Sequence, residues 1–345
     1  HVNYPTLRTH RLIVKLLFLF LLTTLALSAC HEKEEHLSLS LDSISQISDE
    51  SMLVSEESLR EAIHHMVMAD SDRDVAAMQT RRHYLNGGAI RWMTRDGVSA
   101  KADSLVAYLE RVEQVGISPK LFYASQIKDD LERVRSLNFR EGKNSVNRVY
   151  GRLEYLLTKA FLRYTEGQRF GFVNPREVFN RLDVRDSDSV RTTYRQLYDV
   201  PTKRPGKDYV ALAFGVMGSD DASVAKFLRE SEPKNPLYAT LVRHLSDPLS
   251  KADLQRLQTN IERSRWDHGD YPQNHSKYVL INIPSVHLLA VDGEERMTMR
   301  IGIGSLKTKT PLLNSRVKRM DFNPQWVIPK SIVKTSIRHH AGSRA

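Results

Sequence analysis

The chain has 345 residues, a formal net charge of +10 and a single cysteine, Cys30. This length is enough for two domains with cores of their own, and one cysteine excludes an intrachain disulfide framework. The basic balance suits an anionic polymer as partner; nucleic acid is not expected, because no nucleic-acid motif appears and the chain opens on an export signal.

Arg8, Arg11 and Lys15 precede an uncharged run from Leu16 to Leu27. A basic start, an apolar core of about a dozen residues and a small-residue end make a secretory signal. The run is shorter than the roughly 20 residues an ordinary membrane span needs. It closes on Leu27-Ser28-Ala29-Cys30, which resembles a bacterial lipobox. That resemblance implies removal of residues 1–29 and lipidation of Cys30 as the new N-terminus. It also implies a place in the bacterial cell envelope, facing the periplasm and held to a membrane, with the outer membrane as the expected one. Residues 31–50 are Ser-rich and acidic; such a composition cannot bury enough apolar surface to order itself, so 30–57 is expected to be a tether.

Residues 58–266 are expected to form one helical domain. Ser58 to His83 predicts a helix burying Leu59, Ile63, Met66, Met68 and Val75, ended by Asn86-Gly87-Gly88. Ser99 is placed to cap a helix over Ala102 to Val115, with Leu105, Tyr108, Leu109 and Val112 on one face and Gly116 at its end. A further helix runs through Leu131 to Leu137. Val149 to Gly171 carries Leu153, Leu156, Leu157, Ala160, Phe161 and Tyr164, a wide apolar stripe that predicts core. Residues 183–207 are polar and charged and expected to be a loop region or a domain joint. Phe214 to Leu228 predicts a helix, and Leu237 to Arg265 predicts two, the second capped by Ser250. Asp267 to Lys277 is expected to be a loop.

A change of period follows. Tyr278 to Ile283 is an apolar run stopped by Pro284, and Val286 to Val291 is another, followed by Asp292-Gly293. Asp-Gly between apolar runs signals a hairpin, because Gly takes positive φ at little cost. Met297 to Ile303 alternates as a half-buried strand. An antiparallel meander therefore opens a second domain, and the fold class is α+β. Gly302, Gly304, Lys309, Thr310 and Pro311 then make a turn-rich connection, and Trp326 lies between Pro324 and Pro329.

The segments INIPS, RIGIG, KTP and NPQWVIPKSI, in this order, resemble the start of the catalytic domain of L,D-transpeptidases. RWMTRDG, LVAYLERVEQVGISP and VYGRLEYLLTKAFLRYTEGQRFG with Asn174-Pro175 resemble the scaffold domain that precedes it in the periplasmic, scaffold-bearing subfamily. LQTNIERSRW resembles the linker helix between the two. The resemblance implies a mostly helical scaffold followed by the first strands of a β-rich catalytic domain. It also implies peptidoglycan stem peptides as substrate: a Cys thiolate activated by His attacks a stem-peptide amide, an acyl-enzyme forms, and an amine resolves it. Carbapenems acylate that cysteine in the family.

In the family the His and a Ser-x-Gly-Cys-type motif follow the NPxW-like segment, and neither occurs in these 345 residues. Residues 277–345 are therefore expected to be an incomplete start of the catalytic domain, and the chain as given to be inactive, with no catalytic residue assigned. His339 and His340 sit in a polar tail and are not expected to substitute. Ser305, Ser315 and Ser331 are the first hydroxyls to test for an overlooked nucleophile. His64 and His65 are adjacent on a predicted helix and point apart, and no HExxH spacing occurs, so no metal is expected; no phosphate-binding loop or other cofactor motif appears. The alternative is a non-catalytic envelope lipoprotein whose scaffold binds peptidoglycan or a protein partner.

Overall fold

The structure, a computed structural model, describes residues 54–94, 97–186, 193–325 and 327–338. Lipidation at Cys30, the signal, the tether up to residue 53, Trp326 and the tail histidines His339 and His340 lie outside the described residues. The architecture is α+β, helices first and a small sheet from residue 277 onward. Contacts divide it into two compact units: His1–Phe172 with Arg204–Asp267, and Val173–Lys203 with His268–Ala345. Among the described residues no helix is long and apolar enough to cross a membrane.

The first unit is built from helices. Its N-terminal pair is α1 (Glu56–Ala69) and α2 (Val75–Leu85). The sequence predicts one helix over Ser58 to His83, but the Asp70-Ser-Asp-Arg-Asp74 run divides it. Asp70 ends α1, and the Asp74 carboxylate accepts from Ala77 N at 3.1 Å to start α2, because Asp competes for backbone donors best at a cap. Ser55 and Ser58 form a reciprocal cap at the front of α1. Leu59 and Ile63 are core as expected, whereas Met68 is exposed.

A two-residue ribbon, β1 (Met93–Thr94) with β2 (Gly97–Val98), leads into α3 (Lys101–Glu110). This helix has no side-chain cap; the Ser99 hydroxyl points instead to Asp221 at 3.4 Å, and Val112–Val115 is a separate 3-10 turn closed by Gly116 at φ +79°. After α4 (Ala124–Arg135) comes α5 (Val146–Phe170), the axis of the unit. Every residue of α5 from Leu153 to Gln168 is buried, so the helix is surrounded, not merely seated on one face. α1 crosses it at Gly151, where a Cβ would stand 2.6 Å from Ala62 Cβ.

Later in the chain the helix expected over Phe214 to Leu228 is two. α7 (Lys207–Met217) stops at Gly218, and α8 (Asp221–Ser231) starts from Asp220, which accepts from Ser223 N at 2.7 Å. α9 (Pro236–Arg243) and α10 (Lys251–Arg265) follow, and Ser250 caps α10 as predicted, accepting from Asp253 N at 3.2 Å.

The second unit begins with a short helix, α6 (Pro175–Phe179), capped by Asn174. Then come β3 (Val184–Asp186), antiparallel to β4 (Thr193–Tyr194), and β5 (Tyr198–Asp199). Its main sheet is the predicted meander, β6 (Lys277–Asn282), β7 (His287–Asp292) and β8 (Glu295–Arg300), in that order. Asp292 faces Glu295 across a two-residue turn with Gly293 at φ +59°. β9 (Leu312–Leu313) pairs in parallel with β5.

Candidate functional site

Alternation and register place Val279, Ile281, Leu288, Ala290, Met297 and Met299 on one face of the meander, cross-paired in two rows of three. Val279, Ile281, Met297 and Met299 are exposed. The opposite face carries Tyr278, Leu280, Leu289 and Val291 among Asn282, Arg296, Thr298 and Arg300, and only Val291 is buried.

β8 runs into a loop that is folded tightly on itself. Gly304 N donates to Thr310 Oγ1 at 2.7 Å, and a Cβ at 304 would lie 1.9 Å from the Thr308 carbonyl oxygen, so only glycine fits. Lys309 Nζ donates to Leu306 O at 2.8 Å and lies 3.9 Å from Asp183. Leu312 N then reaches Leu197 O at 2.8 Å. Asn180 prepares that edge: its Oδ1 accepts from Leu197 N at 2.7 Å and Tyr198 N at 2.8 Å. The turn-rich connection predicted from Gly302 to Pro311 is thus a loop anchored at Asp183 and Leu197.

Within this unit one hydroxyl meets an imidazole: Thr202 Oγ1 lies 3.3 Å from His268 Nδ1. Ser305 Oγ lies 2.9 Å from Thr308 Oγ1 and accepts from Thr308 N. Ser315 is exposed, and the Ser331 side chain lies outside the described residues. His275 Nε2 lies 2.6 Å from Asp270 Oδ1, and His287 Nδ1 lies 2.5 Å from the Ser285 carbonyl oxygen. Among the described residues no group of three or more His, Cys, Asp or Glu is placed to hold a metal ion.

Two family models match the chain. One for a scaffold domain covers residues 79–245, and one for an L,D-transpeptidase catalytic domain covers residues 276–344. The chain belongs to the L,D-transpeptidase family. Membership implies peptidoglycan as the substrate class. Neither the curated proteins nor the solved structures contain a match to it. Within the segment matched to the L,D-transpeptidase catalytic domain there is no cysteine, since the single one is Cys30.

The scaffold of this L,D-transpeptidase-family chain holds a set of buried charges that the apolar stripe of α5 concealed. Lys159 Nζ lies 2.8 Å from both Asp70 Oδ1 and Asp72 Oδ2. One turn on, Arg163 bridges Asp72 at 2.9 Å and pairs with Asp74. Tyr155 donates to Asp70 at 2.5 Å and Tyr123 to Asp72 at 2.8 Å. Burial alone would raise both carboxyls, but the bonds from Lys159, Tyr155 and Arg163 outweigh it and hold Asp70 and Asp72 below the ordinary range. The sequence signal for this cluster was three aspartates at alternate positions and two cations four residues apart in an apolar helix.

Glu154, fully buried on α5, accepts from the amides of Arg91 (2.6 Å), Trp92 (2.9 Å) and Met93 (3.2 Å) and from Tyr84 Oη (2.7 Å). Burial pushes this carboxyl up despite its four donors. Glu166 is pushed up to about 8, chiefly by burial, with Asp74 adding to the shift and Gln79 and Arg204 opposing it.

Proposed function

We propose that the chain is a lipid-anchored envelope protein of the L,D-transpeptidase family, directed to peptidoglycan. In this reading residues 1–29 are removed, Cys30 is acylated, and residues 30–57 tether the folded units on the periplasmic side of the outer membrane. What carries it is the match of residues 276–344 to the catalytic domain, joined to a single cysteine that stands at a lipobox. The same cysteine count makes these 345 residues inactive by themselves. The attack step needs a thiolate next to a base, and a lipidated Cys30 has its sulfur blocked.

A carbapenem supplies the test, because it acylates the L,D-transpeptidase nucleophile. Intact-mass measurement after incubation should show no stoichiometric increase. A stoichiometric increase would place a nucleophile elsewhere, Ser305, Ser315 or Ser331 first, and overturn the reading. The same cysteine count also favours a second reading, a non-catalytic lipoprotein whose scaffold binds peptidoglycan or a protein partner; retention on purified sacculi without any change in cross-linking would support it.

A further inference from the structure

A cleft of about 110 Å³ sits at the C-terminal end of α5, within the helical unit and outside the segment matched to the catalytic domain. Asp74, Arg163, Glu166, Gly167, Phe172 and Arg204 are among its walls. Asp74 and Arg163 are paired with each other. The other two charged groups are not. Glu166 is 6% exposed, and its Oε1 has no hydrogen-bond partner, although buried polar atoms nearly always find one. Arg204 is half-buried and donates Nη1 only to carbonyls, Phe170 O at 3.2 Å and Gly171 O at 3.5 Å, with no ion pair among the described residues.

The cleft thus has one carboxyl oxygen without a partner and one guanidinium without a counter-ion among the described residues. Its third wall is apolar: Phe172 covers Gly167 so closely that a Cβ there would lie 2.0 Å from the ring. The volume is below the ~150 Å³ of a cavity that takes a six-carbon ring. It admits a group of about four or five heavy atoms and excludes a sugar. A primary ammonium brings three donors and no acceptor, and a carboxylate brings acceptors only that match a guanidinium fork.

We propose that this cleft binds the zwitterionic head of a small amino acid, its ammonium on the Glu166 carboxylate and its carboxylate on the Arg204 guanidinium. The head comes either from a free amino acid or from a stem-peptide residue that keeps both groups unblocked. The second source rests on the peptidoglycan reading; the first does not. An ammonium needs an ionised partner. Burial and Asp74 keep Glu166 protonated at neutral pH, against Gln79 and Arg204, while Arg163 is neutralised by its aspartates. Binding therefore tightens as pH rises towards 8.

Calorimetric titration of the full chain with glycine, D-alanine and a muropeptide carrying a free amino-acid end tests this. Glycine or D-alanine, the muropeptide, or both should bind, tightening up to about tenfold per pH unit below the Glu166 titration. N-Acetylglycine, which lacks the ammonium, and ethylamine, which lacks the carboxylate, should each bind at least ~10-fold more weakly. Glu166→Gln and Arg204→Gln should lose affinity by a similar factor while melting as cooperatively as the parent. The blocked analogues decide the matter on the parent chain even where a variant fails to fold. Binding of free amino acids alone assigns the site to them, and binding of the muropeptide alone assigns it to stem peptides. No binding of any of the three at ~10 mM, or equal binding of the blocked analogues, overturns the proposal.

Discussion

Replacing Glu154 by Gln should destabilise the helical unit by about 2–3 kcal/mol, and the geometry fixes why the number is neither negligible nor larger. Glu154 Oε2 takes the amides of Trp92 and Met93, and Oε1 takes the Arg91 amide and the Tyr84 hydroxyl. A glutamine keeps one oxygen, and two backbone donors make the Oε2 side its better place. The amide nitrogen then faces Arg91 N and Tyr84 Oη. Tyr84 can turn its proton to Thr158 Oγ1, 2.7 Å away, and accept instead. Arg91 N cannot turn. One stranded buried donor costs about 1–3 kcal/mol, and the surviving bonds lose their charge assistance. Removing a buried carboxyl recovers part of that, since burial already disfavours its ionised form. Glu154→Leu strands all three amides and should cost more than about 4 kcal/mol. Urea unfolding followed by far-UV circular dichroism reads both, the Gln variant shifting the midpoint by roughly 1 M. A Gln variant within about 0.5 kcal/mol of the parent, or a Leu variant no worse than Gln, would refute the donor accounting.

Glu166→Gln should flatten the pH dependence of stability. Burial pushes the folded carboxyl up to about 8, from 4.5 for a free glutamate, so the native state holds a proton the unfolded chain releases. That stability is fully present below about 4.5 and is lost as pH rises to about 8, by about 3 kcal/mol between pH 5 and 8; parallel profiles for parent and variant would refute it. Asp70 and Asp72, held low, act in the opposite sense and only at the acid end, below their ordinary titration. Gly151→Ala should cost about 1–3 kcal/mol in the same urea assay, because the new methyl meets Ala62 Cβ at 2.6 Å and α1 backbone at 3.0 Å; a neutral result would mean that α1 shifts freely. Cys30→Ser should abolish incorporation of a fatty-acid probe in cells, and equal labelling of the two would disprove the anchor.

The meander was legible in the sequence because its signals are local. Asp292-Gly293 sets a turn, and period-2 alternation sets a face. α5 was legible as a helix and not as a hub. Its apolar stripe was plain, but nothing in that stripe places Glu154, Lys159, Arg163 and Glu166 inside. Their partners at Arg91–Met93 and Asp70–Asp74 are remote in sequence, and helical periodicity carries no information about them. The breaks at Asp70–Asp74 and Gly218–Asp220 were hidden by helix-compatible neighbours, although both restart on an aspartate cap. The candidate chemistry was legible chiefly as a count, one cysteine at position 30, which no structure is needed to read.

The pairing of β5 with β9 also bears on the order in which the chain can fold. Tyr198–Asp199 has its strand partner at Leu312–Leu313, made much later on the ribosome. Every element of the helical unit has emerged once Asp267 is out, but Val173–Lys203, carried inside that stretch, still lacks the rest of its own unit. Long-range pairing of this kind comes slowly. A fragment ending at Asp267 would therefore keep the whole helical unit and expose an unpaired excursion to proteases. The better fragment joins Phe172 to Arg204 through a short flexible linker, and the excised residues belong with His268 onward.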